Sequence, residues 1–193
     1  MNRDDLSQYL VHWTKGDDYE EAFRSLLSIC LDGAIKGGDR GVFGGGKCVC
    51  FTEAPASKFH GEVIGHFKPF GIQIQKRWAF ECGARPVIYQ PREDLAKLDK
   101  SIRWKHVDFS YGNGLESRNY TWQREWRIKK DVLILPPDPT IIVPDEEWCK
   151  RLITEFSSEN IMRGCEENMD LGYYYTYNPV LKDRYTILWL EQH

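Results

Sequence analysis

The sequence lacks the features that would mark a membrane, secreted or metal-binding protein. No apolar run approaches the roughly 20 residues of a membrane span, and the polar residues 1–5 do not fit a signal peptide. The six cysteines show no paired spacing typical of zinc ligands. We therefore expect no membrane association, no metal site, and reduced, mostly buried cysteines in a cytoplasmic protein.

The sequence also lacks a basic charge excess, a repeat and a low-complexity tract. Lys and Arg number 26 against 29 Asp and Glu, which gives a net charge of −3. No overall basic field therefore indicates nucleic-acid binding, although a local basic groove would suffice for it. With 193 residues and no convincing linker, we expect a single domain over residues 1–193.

Hydrophobic patterns along the chain predict a mixed α/β fold. Strands are predicted near residues 9–14, 47–52, 70–75, 85–89, 120–128, 131–135, 140–143 and 185–190. One helix should begin at Asp17 or Asp18 and end at Gly33. A second should run from Asp145 through Phe156, before a loop over 164–168. So many short strands indicate a split or strongly bent mixed sheet flanked by helices.

Residues 120–128 are the most informative stretch, because polar and apolar residues alternate there with the period of a strand. On that pattern Gln123, Glu125 and Arg127 share one face, and that face would line a cleft. A carboxylate among large aromatic residues is a candidate functional acid. The alternative is that Glu125 only pairs with a neighbouring arginine.

A glycine-rich segment precedes the second predicted strand, with six glycines between residues 35 and 47. Glycine gives the backbone many accessible conformations, so we expect residues 36–47 to be the most mobile internal segment. The segment would be either a lid over a cleft or a plain surface loop.

Three short motifs occur in an order that resembles the ADP-ribosyltransferase fold, in particular the DarT-like enzymes that modify nucleic acid. They are Leu10-Val-His-Trp-Thr14, Cys50-Phe-Thr-Glu53 and Gln123-Arg-Glu125. Across about the first 130 residues the chain also resembles the AbiGi-type proteins of bacterial phage-resistance systems. That resemblance is carried by LVHWTKG, CFTEAP, FGIQIQK, PVIY and REWR.

The resemblance implies NAD as a co-substrate and assigns residues to bind it. His12 would bind the nicotinamide-side ribose, with Thr14 beside it, and Thr52 would take the hydroxyl position of the second strand. The sequence departs from the Arg-initiated transferases here, since their Ser/Thr pattern does not follow Thr52. Arg40 would hold the NAD pyrophosphate by a charge-assisted fork.

The resemblance also implies the catalytic residues. Glu125 would hydrogen-bond the ribose and stabilise the positive charge that develops when nicotinamide leaves. Gln123 would take the substrate-recognition position. Because one ribose must touch both His12 and Glu125, we expect their side chains to face a single cleft.

These assignments predict an NAD-dependent ADP-ribosyltransferase that modifies a nucleic-acid or protein acceptor, as a toxin or effector in phage defence. One alternative is a catalytically inactive antitoxin or sensor module of an abortive-infection system, which would bind a cognate partner. Another is an NAD glycohydrolase, in which water replaces the acceptor. The presence of Gln123 and Glu125 favours the enzymes, whereas the acidic balance disfavours an unaided nucleic-acid toxin.

Overall fold

The computed structural model describes residues 7–56, 67–112, 118–169 and 184–190, and within them the fold is mixed α/β, as predicted. The strands are β1 (Tyr9–Lys15), β2 (Ala34–Lys36), β3 (Cys48–Thr52), β4 (Phe67–Gln75), β5 (Arg85–Pro86), β6 (Ile88–Gln90), β7 (His106–Asp108), β8 (Glu125–Lys129), β9 (Val132–Ile134), β10 (Thr140–Val143) and β11 (Thr186–Trp189). The α-helices are α1 (Tyr19–Asp32), α2 (Lys76–Glu81) and α3 (Glu146–Met169). Short 3-10 helices occupy Arg92–Lys97, Lys100–Lys105 and Thr121–Gln123.

The chain divides into two compact units. Unit one comprises Met1–His12, Ile35–Lys58 and Ile74–Ile134. Unit two comprises Trp13–Ala34, Phe59–Gln73 and Leu135–His193. The single domain predicted over residues 1–193 stays a prediction.

Unit one is built on antiparallel strands in the order β1-β3-β8-β5. Val11 lies opposite Thr52, and Thr52 lies opposite Glu125. Phe51 and Ile128 are almost fully buried in the core of this unit. Strands β6 and β7 form a separate parallel pair in the same unit.

Unit two holds the parallel pairing that makes the sheet mixed, since β10 runs antiparallel to β4 and parallel to β11. Helix α1 begins where the Asp18 side chain accepts a hydrogen bond from the backbone N–H of Glu21, and it ends at Gly33 with φ +61°. Both ends match the prediction, because they depend on local capping chemistry. The rings of Phe23 and Trp148 lie 5.2 Å apart in the core of this unit.

Helix α3 is longer than predicted, because the loop expected over 164–168 is helical. No helix in the described parts of the chain is long and apolar enough to cross a membrane. The cysteines whose side chains are described are free thiols, namely Cys30, Cys48, Cys50, Cys82 and Cys149. Within the same described residues, no group of three or more His, Cys, Asp or Glu could hold a metal ion.

Candidate functional site

Glu125 is the first residue of β8, and a tight turn places it there. Residues Thr121–Gln123 form a 3-10 helix, and Arg124 follows with a left-handed φ of +45°. The continuous strand predicted over 120–128 is therefore wrong in its first half, and the strand rule does not place Gln123 on the face of Glu125. The alternating pattern misled because a turn with an exposed Trp122 satisfies it equally well.

The Glu125 carboxylate is paired with the guanidinium of Arg127, with 2.7 Å between Oε1 and Nε. Both side chains are largely buried, with 13% and 7% of their surfaces exposed. The Nη1 atom of Arg127 also lies 2.9–3.2 Å from the backbone carbonyls of Gly41, Trp104 and His106. The cation beside Glu125 is thus fixed in place by three further acceptors.

The tyrosine and cysteine beside this pair are neutral at pH 7. The Tyr89 hydroxyl accepts a hydrogen bond of 2.9 Å from the backbone N–H of Glu125, and burial above all raises the pKa of Tyr89 to about 12. Cys50 lies opposite Arg127 in the sheet, and burial, followed by the Glu125 carboxylate, raises the pKa of its thiol to about 12. Neither group can supply a second negative charge near Glu125 at neutral pH.

Thr52 lies beside the same turn. Its hydroxyl donates to the backbone carbonyl of Gln123 and accepts a hydrogen bond of 3.2 Å from the backbone N–H of Ala54. Three residues predicted for the site, Thr52, Gln123 and Glu125, are therefore brought together. In this arrangement the Thr52 hydroxyl holds the turn, because its one hydrogen is donated to the main chain.

His12 does not join them. Side chains of residues that lie opposite each other in a sheet share a face, so Val11, Thr52 and Glu125 point to one side of the unit-one strands. His12 follows Val11 and points to the other side, where its ring meets that of Phe51 edge-on at 5.8 Å. The prediction that His12 and Glu125 face one cleft is wrong, because a register difference of one residue reverses the face.

On its own side, the His12 Nδ1 atom lies 2.8 Å from the backbone carbonyl of Cys50. A second carboxylate lies in the same unit, since Glu53 accepts hydrogen bonds of 2.8 Å from Lys76 Nζ and from Trp126 Nε1. Sequence reasoning missed Glu53 and Lys76 as partners. Their only signal was the position of Glu53 directly after the motif strand, which says nothing about a lysine 23 residues away.

The remaining two predicted residues differ in exposure. Thr14, in unit two, is buried, and its hydroxyl lies 2.9 Å from the carbonyl of Ala22 and 3.1 Å from that of Phe70. Its hydrogen-bonding capacity is thus directed to the main chain.

Arg40, in the glycine-rich loop of unit one, is exposed. Gly38 in that loop is bridged to Cys48, while the predicted mobility of residues 36–47 stays a prediction.

Comparison with models of protein families, with curated proteins and with solved structures gives no match. The resemblance to ADP-ribosyltransferases therefore stays a prediction.

Proposed function

We propose that the chain is a binding module without catalytic activity, an antitoxin or sensor partner in a phage-resistance system, on a transferase-like framework. The observation that carries the proposal is the ion pair between Glu125 and Arg127. The phage-resistance context and the transferase framework come from the motif resemblance alone.

A transferase needs a net negative charge aimed at the ribose as nicotinamide departs. Here the guanidinium of Arg127 lies 2.7 Å from that carboxylate and offsets its charge. Arg127 cannot swing away without giving up its carbonyl contacts to Gly41, Trp104 and His106 in a largely buried position. Leaving those carbonyls and the guanidinium buried without partners would cost more free energy than breaking an exposed ion pair at the surface.

The position of His12 supports the same conclusion. A ribose held by Glu125 on one side of the strands would not meet the His12 side chain on the other. The Thr52 hydroxyl, which the resemblance assigns to NAD, donates its hydrogen to the main-chain carbonyl of Gln123. A framework of this kind can still present a surface to a partner, and Tyr120 and Trp122 on the turn are 44% and 41% exposed.

Two observations favour the transferase, or the related NAD glycohydrolase, as a second candidate. Arg124 holds a left-handed φ of +45° although it is not glycine, and it directly precedes Glu125. Backbone strain of this kind often occurs at active sites. Glu125 also keeps 13% of its side chain exposed, which would allow contact with a ligand.

Substitution of Glu125 by Gln separates the two candidates, because Gln keeps the shape and removes the charge. For a binding module we expect no NAD turnover in either protein, and a loss of about 1–3 kcal/mol in unfolding free energy, since a largely buried Arg127 is left without its counter-charge. At this chain length the melting temperature should fall by about 2–4 °C for each kcal/mol. Turnover is measured with labelled NAD, with and without DNA, RNA and cell lysate.

Glu81→Gln is the matched control, because Glu81 pairs with Arg77 on the surface of α2, at 61% and 89% exposure. It should leave both the melting temperature and NAD turnover unchanged. The opposite pattern would overturn the proposal and support the transferase: NAD consumption by the wild type, a fall of about 10²–10³ in rate for Glu125→Gln, and an unchanged melting temperature.

A further inference from the structure

A cavity of about 590 Å³ in unit one is lined in part by Arg92, Asp108, Phe109, Tyr111 and Arg118. Its volume lies within the range of small-molecule sites, roughly 300–1,000 Å³. Its described lining contains none of the residues that the sequence assigns to NAD or catalysis. The cavity is therefore separate from the residues predicted to bind NAD.

Two arginines meet at one carboxylate in this cavity. The Nη1 atoms of Arg92 and Arg118 lie 2.9 Å and 3.5 Å from the Oδ2 atom of Asp108. Their side chains are 62% and 63% exposed. A guanidinium carries five N–H donors, so each arginine has a free edge that fits two oxygens of a phosphate. Asp108 fixes where the two forks stand.

An exposed aromatic ring lies in the same cavity. Tyr111 is 82% exposed, the highest value among the exposed large apolar and aromatic residues described. The ring of Phe109 supports it edge-on at 5.0 Å, which limits the orientations of Tyr111. A ring held open to solvent in this way offers a flat face on which a nucleobase can stack.

Polar side chains with unused hydrogen-bonding atoms lie on the same side of the β6–β7 pair as Asp108. Gln90 lies beside Asp108 in the parallel register, and His106 is two residues before it, so all three share a face. Gln90 Nε2 and His106 Nδ1 are buried and have no hydrogen-bond partner among the described residues. His106 is fully buried, and its Nε2 atom lies 2.8 Å from Asp108 Oδ1. Neither Gln90 nor His106 is among the described lining residues of the cavity, so His106 acts here by holding the Asp108 carboxylate from behind.

We propose that this cavity binds a free mononucleotide. The phosphate lies between Arg92 and Arg118, the base stacks on Tyr111, and the Asp108 carboxylate accepts from the N–H or O–H groups of base or ribose. The volume suits one nucleotide rather than a strand. The inference goes beyond the proposed function, which rests on Glu125 and Arg127, and either can fail without the other.

Calorimetric titration of the full chain with AMP and ATP tests the proposal, alongside adenosine, inorganic pyrophosphate and a short thymidine oligonucleotide. We expect saturable binding of a mononucleotide, one molecule per chain. Arg118→Gln should weaken it about tenfold by removing a charge-assisted contact. Tyr111→Ala should weaken it about fivefold or more by removing the stacking face.

Two matched variants keep the test specific. Tyr111→Phe retains the ring and should bind as the wild type does. Arg77→Gln removes an arginine of 89% exposure in α2, which does not line the cavity, and should also leave binding unchanged.

Four results would overturn the proposal. The first is that no mononucleotide binds saturably, and the second is that the oligonucleotide binds more tightly than AMP or ATP. The third is that pyrophosphate binds as tightly as ATP and Tyr111→Ala has no effect. The fourth is that Arg77→Gln weakens binding as much as Arg118→Gln does. The proposal is supported if Arg118→Gln and Tyr111→Ala weaken binding while the two matched variants do not, and if adenosine and pyrophosphate bind more weakly than AMP or ATP.

Discussion

Each unit of the chain contains a cluster in which an arginine is paired with carboxylates, around Arg127 in unit one and around Arg151 in unit two. The two clusters differ in burial and in the contacts of their arginines. In unit one, Arg127 is 7% exposed at the side chain and is joined to Glu125 and to backbone carbonyls. In unit two, Arg151 is 32% exposed and pairs with Glu20 and Glu155 at 2.6 Å. A buried cation that loses its partner stays unpaired, whereas an exposed one is solvated, so the same residue types should have different effects on stability.

Replacement of Arg127 by Met should give the largest effect, a loss of about 3–5 kcal/mol in unfolding free energy, because Glu125 and the carbonyl groups are left buried without their donor. Urea denaturation followed by tryptophan fluorescence measures it. The double variant Glu125→Met with Arg127→Met should recover part of the loss, because no unpaired charge remains. Equal stability of Arg127→Met and Arg151→Met would contradict the comparison.

Replacement of Arg151 by Met should have a smaller effect, on the order of 1 kcal/mol. Its guanidinium stacks over the rings of Phe23 and Trp148 at 4.5 Å and 4.9 Å, and cation–π contacts at exposed sites contribute about 0.5–1 kcal/mol. Arg151→Lys keeps the charge without the planar stacking face and serves as the control. A loss as large as that of Arg127→Met would show that the exposed cluster is not solvent-screened.

The smallest effect on stability should come from acid, through protonation of Glu20 in the exposed cluster. Hydrogen bonding to Arg151 is the main cause that lowers the pKa of Glu20 from 4.5 to about 2. A lowered pKa stabilises the folded state above pH 4.5 and ceases to do so as the pH falls through about 2. Melting curves between pH 7 and pH 2 should therefore show a shallower acid loss for Glu20→Gln than for the wild type. Parallel curves would show that Glu20 takes no part.

Local chemistry explains which elements the sequence could predict. The start of α1 at Asp18 and its end at Gly33 depend on a cap and on a left-handed glycine, and both were found where the sequence predicts them. The short strand after the glycine-rich loop was predicted over 47–52 and occupies Cys48–Thr52. Each of these signals lies within a few residues of the element it determines.

The candidate site depends on register, which no short pattern contains. Alternation correctly places Glu125 and Arg127 on one face, but it also extended the strand back through Gln123, where Arg124 turns the chain. The opposite face of His12 follows from the pairing of Val11 with Thr52. That pairing links residues 41 positions apart in the chain and is decided by the packing of whole strands.

Cys50 makes the buried cluster measurable by chemical labelling. Only a thiolate reacts quickly with an alkylating reagent, and the Cys50 pKa of about 12 keeps that thiol protonated in the closed strand pair at neutral pH. Cys50 is partly exposed, as is Cys82 on the end of α2, but local separation of β3 from β8 would remove the surroundings that raise the pKa of Cys50 and so speed its alkylation. The labelling rate of Cys50 relative to that of Cys82 thus records how often the region around Glu125 opens, without any substitution in the cluster itself.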